Sequence, residues 1–397
     1  MALSYTDIMM RSILLFYCLF TLLVLNYSCK SDSVTTFESD IEEIYFLDYD
    51  SPREKWGYIN VNGKEVIPAI YDDLRDMTSH ITAANLKGRW GFIDHKGDTK
   101  IDFTYKQVLD FSENRTFVEN FKGDWLLIDN KGRTIDTLEF NKFSSFKDGK
   151  CAVAWNSMWG LIDDSADVLI EPEYELLKSL NSELWIAKRF GKYGLINSNN
   201  EVILDFKFLR IAESGDTDIF KAKTKEGYNL YRIGSTKPLL STHQKISKIY
   251  NGKLITKNAK SWDLLDADNG FQIIKSLNFD KVDFGGEGYW RFKVDGKWGL
   301  LDLQGNEIIP AKYDVLNRVQ EGKIVVGNND QWGYIDTQGN EVIPMILPLA
   351  WDFKNGYARI LAGRGCGFIN TQGSFVIEDK YFEVRDFYNG LARFQER

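Results

Sequence analysis

The residues most able to do chemistry are sparse and badly spaced for it. Only three histidines occur, His80, His95 and His243. No His-x-x-x-His, Cys-x-x-Cys or two-histidine-one-carboxylate spacing is present. Zinc and iron need such convergent donor sets, so the sequence offers no metal site. No G-x-S-x-G elbow or cysteine–histidine signature marks an activated nucleophile. Asp266-Ala267-Asp268-Asn269-Gly270 starts like a calcium loop, but its glycine comes one residue early and Leu277 stands where the closing Glu belongs. Gly285-Gly286-Glu287-Gly288 is rich in glycine yet runs into Tyr289-Trp290, a strand-like pair. A phosphate cradle wants a helix N-terminus there, so a hairpin turn is expected instead. Glu171 and Glu173, either side of Pro172, are a nominal carboxylate pair and read as solvated turn acids. The expected catalytic and metal-ligand lists are therefore empty, no cofactor is expected, and the chain is read as not an enzyme.

What positions these residues is a repeat. An aromatic anchor falls at Trp56, Trp90, Trp125, Trp159, Tyr193, Tyr228, Trp262, Trp298 and Trp332, and Cys366 holds the tenth place. The gaps are 34, 35, 34, 34, 35, 34, 36, 34 and 34 residues, a period that signals a repeat architecture. Four residues after the anchor comes Asp or Asn in nine of ten copies, and seven after it Gly or Asn in eight. An Asx residue opening a turn and a positive-φ residue closing it is hairpin chemistry. Before the turn, W-G-Y/F/L-I alternates large apolar groups; after it come β-branched pairs such as Val66-Ile67, Ile308-Ile309 and Val342-Ile343. Pro68, Pro310 and Pro344 then end that strand or mark a sheet edge. A further short strand precedes each anchor, so each unit has about three strands, four at most.

The expected fold is all-β: about ten units forming an open, curved solenoid or superhelix, with a closed β-propeller-like ring as the alternative. The open form leads because neither terminus looks short of a strand that the other could supply. Ile44-Tyr45-Phe46-Leu47 precedes Trp56 as a leading strand, and Leu391-Ala392-Arg393-Phe394 overhangs at the other end. Gln395-Glu396-Arg397 is expected to blunt an exposed edge. The anchors are expected to pile into one buried apolar spine, with Trp298 in that core.

KWGYINVNGKEVIPAIYDD from Lys55, KWGLLDLQGNEIIPAKYD from Lys297 and QWGYIDTQGNEVIP from Gln331 resemble the WG-repeat (KWG) family of bacterial proteins. The resemblance runs from about Ile44 to Arg397. It departs at Tyr193, Tyr228 and Cys366, and where Leu126, Asn229 and Asp263 replace the glycine after the anchor. It implies a repeat module with no defined reaction.

The N-terminus stands apart from the array. An apolar run from Ile13 to Leu25 follows Arg11, too short for a comfortable span and suited to a signal peptide. Asn26-Tyr27-Ser28-Cys29 resembles a bacterial lipoprotein processing site, which implies lipid attachment at Cys29. The expected organisation is a signal peptide at 1–28, a lipidated cysteine and tether at 29–43, and the array at 44–397. Cys151 and Cys366 lie six repeats apart and are expected to be reduced and buried. A formal charge of -8 argues against a nucleic-acid partner.

The leading functional expectation is a non-catalytic scaffold on the bacterial cell envelope, on the periplasmic side or the cell surface. It would be held to the membrane by its lipid and bind a protein or peptide. The alternative is glycan recognition through Trp155, Trp185, Trp290 and Trp351, aromatics that lie off the anchor column.

Overall fold

The computed structural model describes residues 55–259 and 261–396. The expected signal peptide, Cys29, the tether and the Ile44–Leu47 strand lie outside the described residues. The described residues hold forty strands and no helix. The strands form ten antiparallel four-stranded sheets arranged in a ring, a β-propeller. Of the two expected architectures the closed ring is the one observed, with four strands to each blade.

The ninth blade shows the plan. Its strands are Val315–Leu316, Lys323–Asn328, Gln331–Asp336 and Glu341–Leu347. The third strand carries the W-G motif, and the turn after it has the expected chemistry. Asp336 Oδ1 accepts the backbone N–H groups of Gln338 and Asn340 at 2.9 and 2.8 Å, and Gly339 has φ 84°. The same two-amide cap recurs at Asn60, Asp94, Asp129, Asp163, Asn197, Asp302 and Asn370.

The glycine after the anchor has a specific cause. Trp332 pairs with Leu347 and Tyr334 with Ile343, so Gly333 alone faces three residues of a bulged fourth strand. A Cβ on Gly333 would lie 2.5 Å from the Ile343 carbonyl oxygen. Gly57, Gly91, Gly160, Gly194, Gly299 and Gly367 face the same bulge in their blades. Where Leu126 and Asp263 replace the glycine, the fourth strand runs past them without a bulge. Pro68, Pro310 and Pro344 sit inside this strand, within the bulge, on an outer edge with no ladder partner to lose.

The apolar spine is displaced from where the sequence suggested. Most anchor rings are only half-buried, Trp298 among them. The residues two and three places further on are the buried ones: Tyr58 and Ile59, Phe92 and Ile93, Leu300 and Leu301, Tyr334 and Ile335. Successive side chains of a strand point to opposite sheet faces, so each third strand feeds both of its inter-blade cores. The anchor instead lies at the strand's start, where cations cover several of the rings. Arg291 stands 4.9 Å from the Trp298 centroid, Arg75 5.0 Å from that of Trp90 and Arg393 5.2 Å from that of Trp56.

The ends meet in the first blade. Its first two strands, Glu383–Val384 and Leu391–Gln395, come from the C-terminal side; the other two are Trp56–Asn60 and Glu65–Tyr71. Trp56 pairs with Gln395 and Asn60 with Leu391. This overturns the expectation that neither end supplies a strand to the other: the overhang Leu391–Phe394 is the missing second strand. Gln395 is correspondingly buried within the sheet rather than blunting an edge.

Candidate functional site

In a propeller one edge of each blade faces the axis, and equivalent residues of neighbouring blades approach each other there. Such contacts follow the first strand and the turn after it. Asn317 Nδ2 donates to Asp352 at 2.9 Å, Arg75 meets Asp110 at 2.8 Å, and Lys248 meets Glu213 at 3.2 Å, each pair 35 residues apart. The first strand is therefore innermost and the bulged fourth strand is the rim. The first and third turns share one face, here the front. The second turns and the links between blades share the other, the back.

The hub is rich in charge, and the charge is used internally. Arg359 pairs with Asp386 at 2.5 Å and donates to the Val384 carbonyl at 3.3 Å, joining the tenth blade to the first. Arg393 pairs with Asp76 at 2.7 Å and donates to the Leu74 carbonyl, joining the first blade to the second. Arg75 donates to the Val108 carbonyl at 2.8 Å, joining the second to the third. Arg291 pairs with Asp283 and reaches the Leu316 carbonyl at 3.1 Å. The sixth blade has Lys221 at the corresponding place, donating to the Ile246 carbonyl at 2.7 Å. Burial pushes that ammonium down to about 8, and Arg210 and Lys248 add repulsion. Burial also raises the Asp352 carboxyl, the Asn317 amide opposes it, and Asp386 adds to the rise.

The front turns are also committed to each other. Glu113 accepts the N–H groups of Asp148 and Gly149 at 2.8 Å each. Glu287 accepts those of Glu321 and Gly322 at 2.5 and 3.0 Å, and Glu321 accepts that of Gly356 at 2.8 Å. Gly285–Gly288 is thus a turn stapled to its neighbour, as Val319 N–H to Gly285 O at 2.6 Å confirms. An open front cavity of about 430 Å³ is lined by His80, Ile81, Asp94, His95, Lys100, Asn130 and Lys131. Burial opposes ionisation of Asp94, but Lys100 at 2.8 Å and the amides of Lys96 and Asp98 outweigh it and hold the carboxyl at about 2. A carboxylate so held is a poor general base near neutral pH. Glu173 is taken up by Asn200 Nδ2 at 2.7 Å and Arg189 at 3.7 Å. Among the described residues no three His, Cys, Asp or Glu side chains converge as metal ligands. Cys151 and Cys366 are both buried.

The four off-anchor tryptophans separate. Trp185 and Trp290 are 3% and 0% exposed and cannot meet a ligand. Trp351 is half-buried beneath Arg359, whose guanidinium stands 4.8 Å from its centroid. Trp155 is 49% exposed at a second turn on the back face. The sequence reading missed its partners there: Phe121 and Phe190, in the second turns of the flanking blades, are 57% and 87% exposed. The signal was available, because second turns elsewhere in the chain carry no aromatic residue. The hub arginines were missed too, although Arg291 and Arg359 both stand seven residues before their anchors.

The family model described as a WG containing repeat matches residues 56–80, 90–122, 159–188, 298–332, 332–363 and 367–397. The stretches it leaves out include the third and seventh anchor strands, in which the glycine after the anchor is lost. No curated protein matches the chain. Among solved structures the chain is similar to a eukaryotic initiation factor, with 10% identity and TM-score 0.49 over 87% of this chain and 98% of that one. It is also similar to BamB from Moraxella catarrhalis, with 12% identity and TM-score 0.36 over 67% and 88% of the two chains. The C-terminal WD40 domain of Sif2 matches with 12% identity and TM-score 0.33 over 65% and 89%.

Proposed function

We propose that this chain is a WG-repeat propeller that acts as a non-catalytic scaffold on the bacterial cell envelope and holds a protein or peptide partner on its ring. The observation that carries the reading is the internal use of the hub and front-turn charges: arginines, carboxylates and turn amides there bind the next blade. A catalytic site would need some of those groups free and convergent on a cavity. Rigid blades presenting variable turns suit recognition instead. Glycan binding loses support, because two of the four rings it relied on are buried.

Quantitative cross-linking of the full chain in envelope extract, against a heat-unfolded control, tests the scaffold reading. One or a few proteins enriched only by the folded ring are expected; enrichment identical to the control sinks it. The envelope assignment rests on the sequence around Cys29. Mass spectrometry of the mature protein is expected to find a diacylated Cys29 as the first residue. An unmodified Cys29 or a retained leader overturns that part alone.

A further inference from the structure

We propose that the second turns of the third, fourth and fifth blades form one docking strip on the back face, and that it takes an acidic protein segment bearing aromatic or aliphatic side chains. This rests on the scaffold reading and names the partner's chemistry and the place it docks. Phe121, Trp155 and Phe190 are 57%, 49% and 87% exposed on three consecutive blades. Leu209, on the link from the fifth blade to the sixth, is a further exposed apolar residue on the same face, at 38%. Exposed apolar groups gathered on one face mark interaction sites, and large aromatics supply most of the anchoring in them.

The fold does not require these rings. The corresponding turns elsewhere read Lys87-Gly88, Lys225-Glu226-Gly227, Asp295-Gly296, Asn329-Asp330 and Gly363-Arg364-Gly365, and the strand-end place of Trp155 is held by Leu86, Arg189, Val294 and Asn328. Phe190 sits at φ 49°, the place held by Asn156 at φ 48° and Asn329 at φ 51° in other two-residue turns. Asn and Gly suit that backbone, and a bulky ring does not. A phenylalanine there gives up turn chemistry and gains no burial within the chain, which points to a contact outside it.

Charge selects the partner. The Arg89 guanidinium lies 5.2 Å from the Phe121 centroid and that of Arg189 5.4 Å from the Phe190 centroid. Lys87 and Lys122 are exposed beside them. The nearby carboxylates are Asp72, which pairs with Lys55 and accepts the Gly88 N–H at 3.0 Å; Asp124, which is exposed; Glu173, near Arg189; and Glu175, which pairs with Lys188 at 2.9 Å and accepts the Gly191 N–H at 2.8 Å. A cationic surplus therefore surrounds the rings on a chain whose formal charge is -8. Carboxylates on a partner would meet that surplus while its apolar side chains cover the rings.

The probe is a short fluorescein-labelled peptide alternating Glu with Phe and Leu, titrated with the full chain and followed by anisotropy. Saturable binding that weakens with salt is expected. The triple variant Phe121→Ser, Trp155→Thr, Phe190→Asn is expected to bind at least about tenfold more weakly and to melt no lower than the parent, since Asn suits the φ of position 190. Arg89→Glu with Arg189→Glu is expected to weaken binding without the triple change. Unchanged binding by the triple variant overturns the proposal. So does equal affinity for the peptide with Lys in place of Glu, tighter binding of an oligothymidine, or no binding of the acidic peptide at all. The two readings separate in cross-linking: envelope partners retained by the triple variant refute the strip and leave the scaffold standing. No partner for the parent chain refutes the scaffold itself.

Discussion

Gly333→Ala tests the physical meaning of the repeat signature. The added Cβ would meet the Ile343 carbonyl oxygen at 2.5 Å, Met345 N at 2.8 Å and Pro344 C at 2.8 Å. All three are backbone atoms of the fourth strand, so no side chain can swing away. The strand must lift by most of an ångström or surrender its bulge. Overpacking of this kind costs about 1–3 kcal/mol. Loss of the glycine's freedom in the unfolded chain returns about 0.4–1 kcal/mol. A net destabilisation of about 1–2 kcal/mol is expected, read by urea unfolding of the full chain. Hydrogen exchange should show the lost protection concentrated in Glu341–Leu347 and its ladder with the third strand. Gly327→Ala in the same blade is the control. The nearest atoms to its Cβ would be those of the Trp332 ring, at 3.3 and 3.4 Å, and the Gln331 oxygen at 3.5 Å, so a change within about 0.5 kcal/mol is expected. Equal effects of the two substitutions, or a Gly333→Ala ring as stable as the parent, would show that the bulge does not select the glycine.

Leu300→Ala should destabilise the ring by about 2–5 kcal/mol, the usual cost of a buried leucine, and by more than Trp298→Ala, whose ring is only half-buried; denaturation of the pair gives the order. Lys221→Met should raise stability at neutral pH by about 1–2 kcal/mol after loss of the bond to Ile246 O. The sign follows from the ammonium being held at about 8 against an ordinary 10.5. Below the lower value the folded parent carries the full cost, and between the two it sheds its proton and regains stability. The gap between variant and parent should therefore close near pH 10, and a gap that widens with pH contradicts this. Arg393→Ala removes the link from the first blade to Asp76 and Leu74 O. It should cost about 2–4 kcal/mol and expose Leu391–Gln395 to exchange before other second strands. The Cys151 thiol, which burial pushes up to about 12, should resist a thiol reagent at pH 8 until the chain is unfolded.

The turn chemistry was legible because it is local: Asp336 and Gly339 lie within one hairpin, and their types report the backbone directly. The all-β class and the count of units followed from the same positions. Ring closure was hidden because the sequence motif and the blade are out of phase. The motif runs from a third strand to the next second strand, so a blade split between the termini looks like a complete unit followed by an overhang. The half-burial of the anchors was hidden because Trp is both the largest apolar residue and one that tolerates a wet, cation-covered edge. Its recurrence alone cannot separate those roles, whereas the less conspicuous Tyr334-Ile335 and Leu300-Leu301 pairs take the core. Trp155, Trp185 and Trp290 look alike in sequence, and only the register of their hairpins decides which one reaches solvent.

Where a partner can be read on such a ring follows from what each position already does. At the hub, Arg359, Arg393 and Arg75 each hold an adjacent blade through a carboxylate and a carbonyl. A ligand recruiting them would have to replace bonds between blades, so its affinity would be offset by loosening of the ring. Front turns are constrained in the same way by the glutamate staples. The rim strand is held by its bulge against the third strand. The second turns on the back face are held through their backbone, as where Asp72 and Glu175 accept the Gly88 and Gly191 N–H groups, and their own side chains carry no comparable duty: Lys87-Gly88, Asn156-Ser157 and Phe190-Gly191 close the same two-residue hairpin with unrelated side chains. Their side chains can vary from blade to blade without breaking a bond between blades. Departures from polarity there, as at Phe121, Trp155 and Phe190, are therefore better evidence of recognition than the more numerous charges at the hub.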